Sequence, residues 1–362
     1  MIGVSGRRFD PTISRCSGVH AMPYTRRSFL TASAIAAAAL CSTRSAAGLL
    51  GSAGRPARVT RRAADTYFEW KKVAESCHVA SGEGGNTLAV LAGERSLLVD
   101  SKNGGFGPVL RREAAALGAP VAMLINTHHH FDHTGGNPAF TGDVEVVAHV
   151  NAAARIASGF EMSMGAARRS IQQLRQSGRP GAGRVVADIE EWLRSGPTEK
   201  DFHPTRFIPS SGSLSVGSLT IEVHHTGAGH TDNDLIVRLP EHNVVHAGDL
   251  LFNACWPYLD PTNSGADTAG WIRACRKIVE LCDERTVVIP GHGEVGDVEI
   301  AQRQIGLLSR VREEAARAVE KGVARDEFLK TPFPEYEQFG LPTIRPFTLG
   351  GAWDEASRDA GK

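Results

Sequence analysis

The stretch Thr127-His128-His129-His130-Phe131-Asp132-His133 decides how this chain is read. The apolar run Val121–Asn126 before it predicts a buried strand, and the polar cluster begins where that strand ends. Alternation along an extended backbone puts His128 and His130 on one side, so two imidazoles can reach one cation. His129 alternates away and is expected at the pocket rim or behind the ligands. Asp132 and His133 follow as the chain turns through Gly135-Gly136, offering a second cation a carboxylate and an imidazole. A lone buried histidine is usually a hydrogen-bonding group, so the reading needs more donors at the ends of later strands.

Those donors are present. Gly227-Ala228-Gly229-His230-Thr231 follows a predicted strand at Leu219–His225. His246-Ala247-Gly248-Asp249 closes another strand with a carboxylate, and Pro290-Gly291-His292-Gly293 closes the last with an imidazole between glycines. Glycine beside a ligand permits tight turns and close backbone approach.

The order HxHxDH, GxGHT, GD, PGH resembles the metallo-β-lactamase superfamily. The likeness runs over roughly residues 66–321 and includes Gly84-Gly85-Asn86 and Leu97-Leu98-Val99-Asp100. It implies a four-layer αββα sandwich with two sheets inside and helices outside. It gives His128, His130 and His230 to a first metal, Asp132, His133 and His292 to a second, and makes Asp249 the bridge. Zn2+ suits this donor chemistry, and a metal-bridging hydroxide is the implied nucleophile, oriented by Asp132 as the catalytic carboxylate. Asp100 and His225 are expected to support the ligands from behind, as is any of His149, His224 and His246. Asn233 and Trp256 are candidates for substrate contact. Where zinc β-lactamases of one subclass carry a cysteine and, three residues later, a lysine, this chain has Asp249 and Phe252. Asp249 resembles the bridging aspartate of the wider family, which includes thioesterases, lactonases and phosphodiesterases. The expected activity is therefore hydrolysis of a small carbonyl substrate: lactam or amide, lactone, ester or thioester. A phosphodiesterase and an iron-dependent oxidoreductase are the alternatives. His130 stands where the flavodiiron branch of the fold tends to have Glu.

The 362 residues, 41% hydrophobic, suffice for a full core. Thr25-Arg26-Arg27-Ser28-Phe29-Leu30 followed by the apolar run Ala32 to Leu40 reads as a twin-arginine export signal. That run is far shorter than the roughly 20 apolar residues a resident span needs. Residues 1–47 are taken as signal and flank, with Ser45-Ala46-Ala47 as the cleavage pattern, 48–64 as linker, 65–325 as the catalytic domain and 326–362 as a C-terminal extension. The destination is the periplasm or the exterior, with no stable membrane association after cleavage.

Of 40 basic and 40 acidic residues, six arginines and one aspartate fall within residues 1–47, leaving 34 against 39. That mildly acidic remainder offers no basic stripe for a phosphate backbone, so the partner is a small-molecule substrate and no nucleic acid is expected. Cys275 and Cys282 lie seven apart on one predicted helix, about 10 Å along its axis, too far to bridge. Any disulfide beyond residue 47 would need Cys77 or Cys255.

Overall fold

Side-chain alternation along the strands sorts the apolar residues into three separate cores. In the computed structural model, which describes residues 66–361, Leu97 and Val99 point into one core while Leu98 points into another. Met123 and Ile125 likewise face away from Leu124. These strands are buried on both faces, which is why they read as continuous apolar runs.

The first sheet has seven strands in sequence order: β1 (Trp70–Ala74), β2 (Cys77–Ala80), β3 (Thr87–Ala92), β4 (Arg95–Val99), β5 (Val121–Ile125), β6 (Glu145–His149) and β7 (Arg206–Ile208). The pairings are antiparallel up to β4 and parallel from β4 to β7. The second sheet runs β12 (Val287–Ile289), β11 (Val244–His246), β10 (Ile236–Leu239), β9 (Leu219–His224), β8 (Gly212–Val216). Val79, Leu88, Val90 and Val147 meet Ile221, Val223, Val237 and Val244 between the sheets. Outside the first sheet lie α1 (Gly107–Ala116), α4 (Phe160–Ser177) and α5 (Ala182–Arg194); outside the second lie α6 (Thr268–Leu281), α7 (Glu299–Glu320) and α9 (Arg345–Asp359), with the short α2 (Phe131–Thr134), α3 (Ala152–Ser158) and α8 (Arg325–Phe328) between them in the chain. The expected helix, sheet, sheet, helix layering is present.

Several local expectations are corrected. Arg179-Pro180-Gly181-Ala182-Gly183-Arg184 reads as loop from its proline and glycines, yet Ala182–Arg194 is a helix. Its buried residues Ala182, Val185, Val186, Ile189 and Trp192 follow the spacing of one helical face. Gly181 and Gly183 at its start disguised that pattern. Strands β1, β7 and β8 also went unread, because exposed residues interrupt their apolar positions. The stretch Ala166–Gln176 reads as helix from its sequence, and that helix begins earlier, at Phe160.

The stretch after residue 325 is part of the second helical layer. Phe328, Phe333, Ile344, Leu349 and Ala352 are buried in the same core as Trp271, Ile278 and Leu307. Cys77, Cys275 and Cys282 are free thiols. No helix among these residues is long and apolar enough to cross a membrane. The expected signal and linker lie outside the described residues.

Candidate metal centre

Each proposed ligand sits at or just past a strand end on the same side of the sandwich. His128 and His130 follow β5, with Asp132 and His133 in the single-turn helix Phe131–Thr134. His230 lies between β9 and β10, Asp249 just after β11, and His292 just after β12. This is the edge where open α/β sheets place their ligand sites.

The donor atoms converge as two groups. In the first, His128 Nε2 lies 3.1 Å from His130 Nδ1, and His230 Nε2 lies 2.9 Å from that same Nδ1. Asp249 Oδ2 stands 3.5 Å from His230 Nε2 and 3.8 Å from His128 Nε2. In the second, Asp132 Oδ2 is 3.2 Å from His292 Nε2 and 3.7 Å from His133 Nε2. Asp249 turns its other oxygen, Oδ1, towards this group, 3.0 Å from His133 Nε2 and 3.5 Å from His292 Nε2. Donors around a tetrahedral zinc at about 2.0–2.1 Å lie roughly 3.3–3.4 Å apart, so both groups have the right spacing. His133 Nε2 and Asp249 Oδ1 are buried without a hydrogen-bond partner. Buried polar atoms of this kind require a partner, and a cation shared by both supplies one. The residues fit two metal ions.

The imidazoles are held from behind. Asp100 is the hub: Oδ2 accepts from Thr127 Oγ1 and faces His133 Nδ1, both at 2.8 Å, and Oδ1 accepts from Thr127 N at 2.8 Å. Thr127 Oγ1 also lies 3.0 Å from His128 Nδ1, so one carboxylate orients a ligand of each group. His230 Nδ1 is 3.0 Å from Tyr258 O, and His130 Nε2 is 3.0 Å from Ser264 Oγ. Ser264 and the Tyr258 carbonyl escaped the sequence reading, since nothing in a loop sequence signals which backbone oxygen will meet a ring.

Electrostatics differ between the groups. Burial and the neighbouring charge of His130 push His230 down to about 3, and burial holds His128 well below its ordinary value. These rings are kept neutral, with lone pairs ready for a metal. Burial works against charge in the second group too, but Asp249 and Asp132 outweigh it and lift His292 to about 9. Burial likewise opposes ionisation of Asp132, and His133 and His292 overcome it, lowering Asp132 to about 2. This pair of carboxylates demands positive charge beside it.

Other expected residues fall elsewhere. His225 touches no ligand: β9 ends one residue earlier, and the ring stacks on His149 with centroids 3.9 Å apart while Nδ1 faces Asp234 O. His149 and His224 do not reach a ligand either, bonding to Pro209 O and pairing with Glu222. His246 steadies the bridging turn, its Nδ1 accepting from Gly248 N and its Nε2 facing Asn86 O. Trp256 is 2% exposed beneath Phe333, Tyr336 and Phe339, so the C-terminal segment takes it out of reach of substrate. Asn233 is fully buried and commits its amide to Asp232 and to His129 Nδ1 at 3.0 Å. His129 is thus anchored beside the site, its ring 4.5 Å from that of His130.

The chain is 25% identical over 224 residues to an acyl-coenzyme A thioesterase, MBLAC2, of Gallus gallus, spanning 59% of this chain and 73% of that one. It is 28% identical over 105 residues to a metallo-beta-lactamase type 2 of Bacillus cereus, spanning 29% of this chain and 41% of that one. Among solved structures, a metallo-beta-lactamase from Pontibacter korlensis aligns with a TM-score of 0.49 and 20% identity, over 67% of this chain and 99% of that one. The sequence pattern of the metallo-beta-lactamase superfamily matches residues 80–292, a span that opens at the end of β2 and closes on the ligand His292. With its donor residues inside that span, the chain belongs to the metallo-beta-lactamase superfamily.

Proposed function

We propose that the protein is an exported dizinc hydrolase of a small carbonyl substrate, with esters and thioesters ahead of lactams. The observation that carries the reading is Asp249, whose two carboxylate oxygens face different donor groups. One bridging carboxylate between two histidine-rich groups is the arrangement a two-cation hydrolytic centre needs. His128, His130, His230 and Asp249 would hold one ion, and Asp132, His133, His292 and Asp249 the other. When bound, such ions activate water and polarise a substrate carbonyl.

Asp132 has the position and the charge to serve as base. Its carboxylate is ionised across the physiological range, and Oδ2 lies among the second donor group. It can take the proton of the attacking water and return it to the leaving alkoxide or thiolate. The water's oxygen bonds to the carbonyl carbon, and the bond to the leaving group breaks. Preference for esters and thioesters draws on Phe252, which stacks on His292 with centroids 5.3 Å apart where a β-lactam carboxylate would want a cation. The similarity to a thioesterase points the same way.

The test is metal analysis of the purified protein with hydrolysis of a chromogenic cephalosporin, a lactone, an aryl ester, an acyl thioester and a nitrophenyl phosphodiester. Two zinc ions per chain and fastest turnover of ester or thioester are expected. Fewer than one metal per chain, or turnover of the phosphodiester alone, sinks the reading. Export rests on Arg26 and Arg27, so changing both to Lys should strand the precursor in the cytoplasm of a bacterial host. Unaltered export of that variant would refute the twin-arginine route.

A further inference from the structure

The turn Gly84–Asn86 touches Asp132 and His133 and the residues on either side of His292. Gly85 N donates to Asp132 O at 3.0 Å. Gly85 also lies flat against His133: a Cβ there would fall 2.0 Å from the ring carbon Cε1. Asn86 N donates to Gly291 O at 2.8 Å, and its Nδ2 donates to Pro290 O and Gly293 O at 2.9 Å, bracketing His292. Three ligands from two distant parts of the chain are therefore registered against one three-residue turn.

The turn itself is held by Lys102. Its Nζ donates to Gly85 O at 2.7 Å and to Ala80 O at 2.6 Å, tying the turn to the end of β2. Lys102 is fully buried, its ammonium 5.4 Å from the centre of the Phe68 ring, and no carboxylate lies within ion-pair distance of it among the described residues. The carboxylates of Glu83, Asp100 and Asp132 act on it only from farther away and do not offset its burial, which is costly to a fold. The backbone adds to that cost, since Lys102 sits at φ +73° in the left-handed region. The segment 101–103 also meets the ligand loop directly, with Ser101 N donating to His133 O at 2.7 Å and Gly136 N donating to Lys102 O at 3.2 Å. A costly, strained residue beside a site points to function.

We propose that Lys102 is a positioning residue for the second cation: by fixing the Gly84–Asn86 turn it sets the relative placement of Asp132, His133 and His292. This rests on the two-cation reading. The Lys102 side chain touches no ligand and acts through the turn.

The experiment strips metal from the purified full chain and titrates it with Co2+, following visible absorption and competition with a chelator. The wild type is expected to bind two equivalents. Lys102→Met keeps the stem but leaves both carbonyls unpaired; it should hold the first equivalent normally and the second about 10–100-fold more weakly, with an altered cobalt spectrum for that equivalent. Lys102→Gln, which keeps one donor, should fall between and serves if the methionine variant does not fold. Leu98→Ala, in the core beneath the first helical layer, is the control for lost stability alone and should keep both affinities. The proposal is overturned if the Lys102 variants bind both equivalents like the wild type, or lose both alike. A wild type that binds only one equivalent overturns the two-cation reading itself.

Discussion

Asp100 shows how much one carboxylate can organise. It accepts from Thr127 N and Thr127 Oγ1 and meets His133 Nδ1, so it orients a ligand loop without touching a donor atom of the first group. Asp132 works in the opposite manner, facing the reacting space with its charge maintained by His133 and His292. Asp132→Asn should lower kcat by about 100-fold or more at saturating metal, in line with loss of a positioned base. Full activity with both metals in place would refute that role. Ser264→Ala removes the hydroxyl facing His130 Nε2 and should weaken the first cation about 10-fold or more in chelator competition, leaving the second unaffected. A pH effect belongs to this scale too. Burial and the charge of His225 lower the His149 pKa below its ordinary value of 6.5, so the unfolded chain binds the proton more readily. Stability from this group is present above pH 6.5 and lost as pH falls below it. His149→Gln should flatten the fall in melting temperature between pH 6.5 and 5; slopes equal to those of the wild type would contradict the assignment.

At the scale of elements, the helices bring the ligand-bearing loops to the right depth. Helix α6 starts at an Asp267 cap whose carboxylate accepts from Ala269 N, and its Trp271 Nε1 donates to Leu250 O beside Asp249. Asp267→Ala should cost about 1 kcal/mol in denaturant unfolding. Helix α5 packs the first sheet through Ile189, which is fully buried, and Ile189→Ala should cost about 2–5 kcal/mol. A cost under 1 kcal/mol would mean that this helix is not integral to the first core.

For the whole molecule, the two sheets carry the ligands and the C-terminal segment closes the second helical layer. Thr348 Oγ1 donates to Pro257 O at 2.5 Å, Trp256 N donates to Gly340 O at 3.0 Å, and Phe347 packs 5.4 Å from the Tyr258 ring. The loop bearing the Tyr258 carbonyl is thereby pressed towards His230. Metal at 100 times its dissociation constant should stabilise the fold by about 2.7 kcal/mol, so chelation should lower the melting temperature and added zinc restore it. An unchanged melting temperature after verified metal loss would show that the donors do not hold the ions in the folded state.

The sequence by itself pointed to the fold and to the candidate donor residues that the structure brings together. His128, His130, Asp132 and His133 form one short run, and His230, Asp249 and His292 each follow an apolar strand with glycine beside them. That information is local, because strand ends and tight turns are written in neighbouring residues. Strand periodicity likewise announced most of both sheets, while Ala182–Arg194 was hidden by glycines and charge at its first turn. Asp100 behind His133 was legible as well, whereas tertiary structure alone decided the remaining groups behind the donors and which residues leave the site. Ser264, the Tyr258 carbonyl and Lys102 act across distances in sequence that no local pattern spans. Trp256 was lost to the core because a segment some eighty residues later folds over it, and His225 because its strand stops one residue short. Contacts of that kind depend on how layers pack, and packing is set by the whole chain at once.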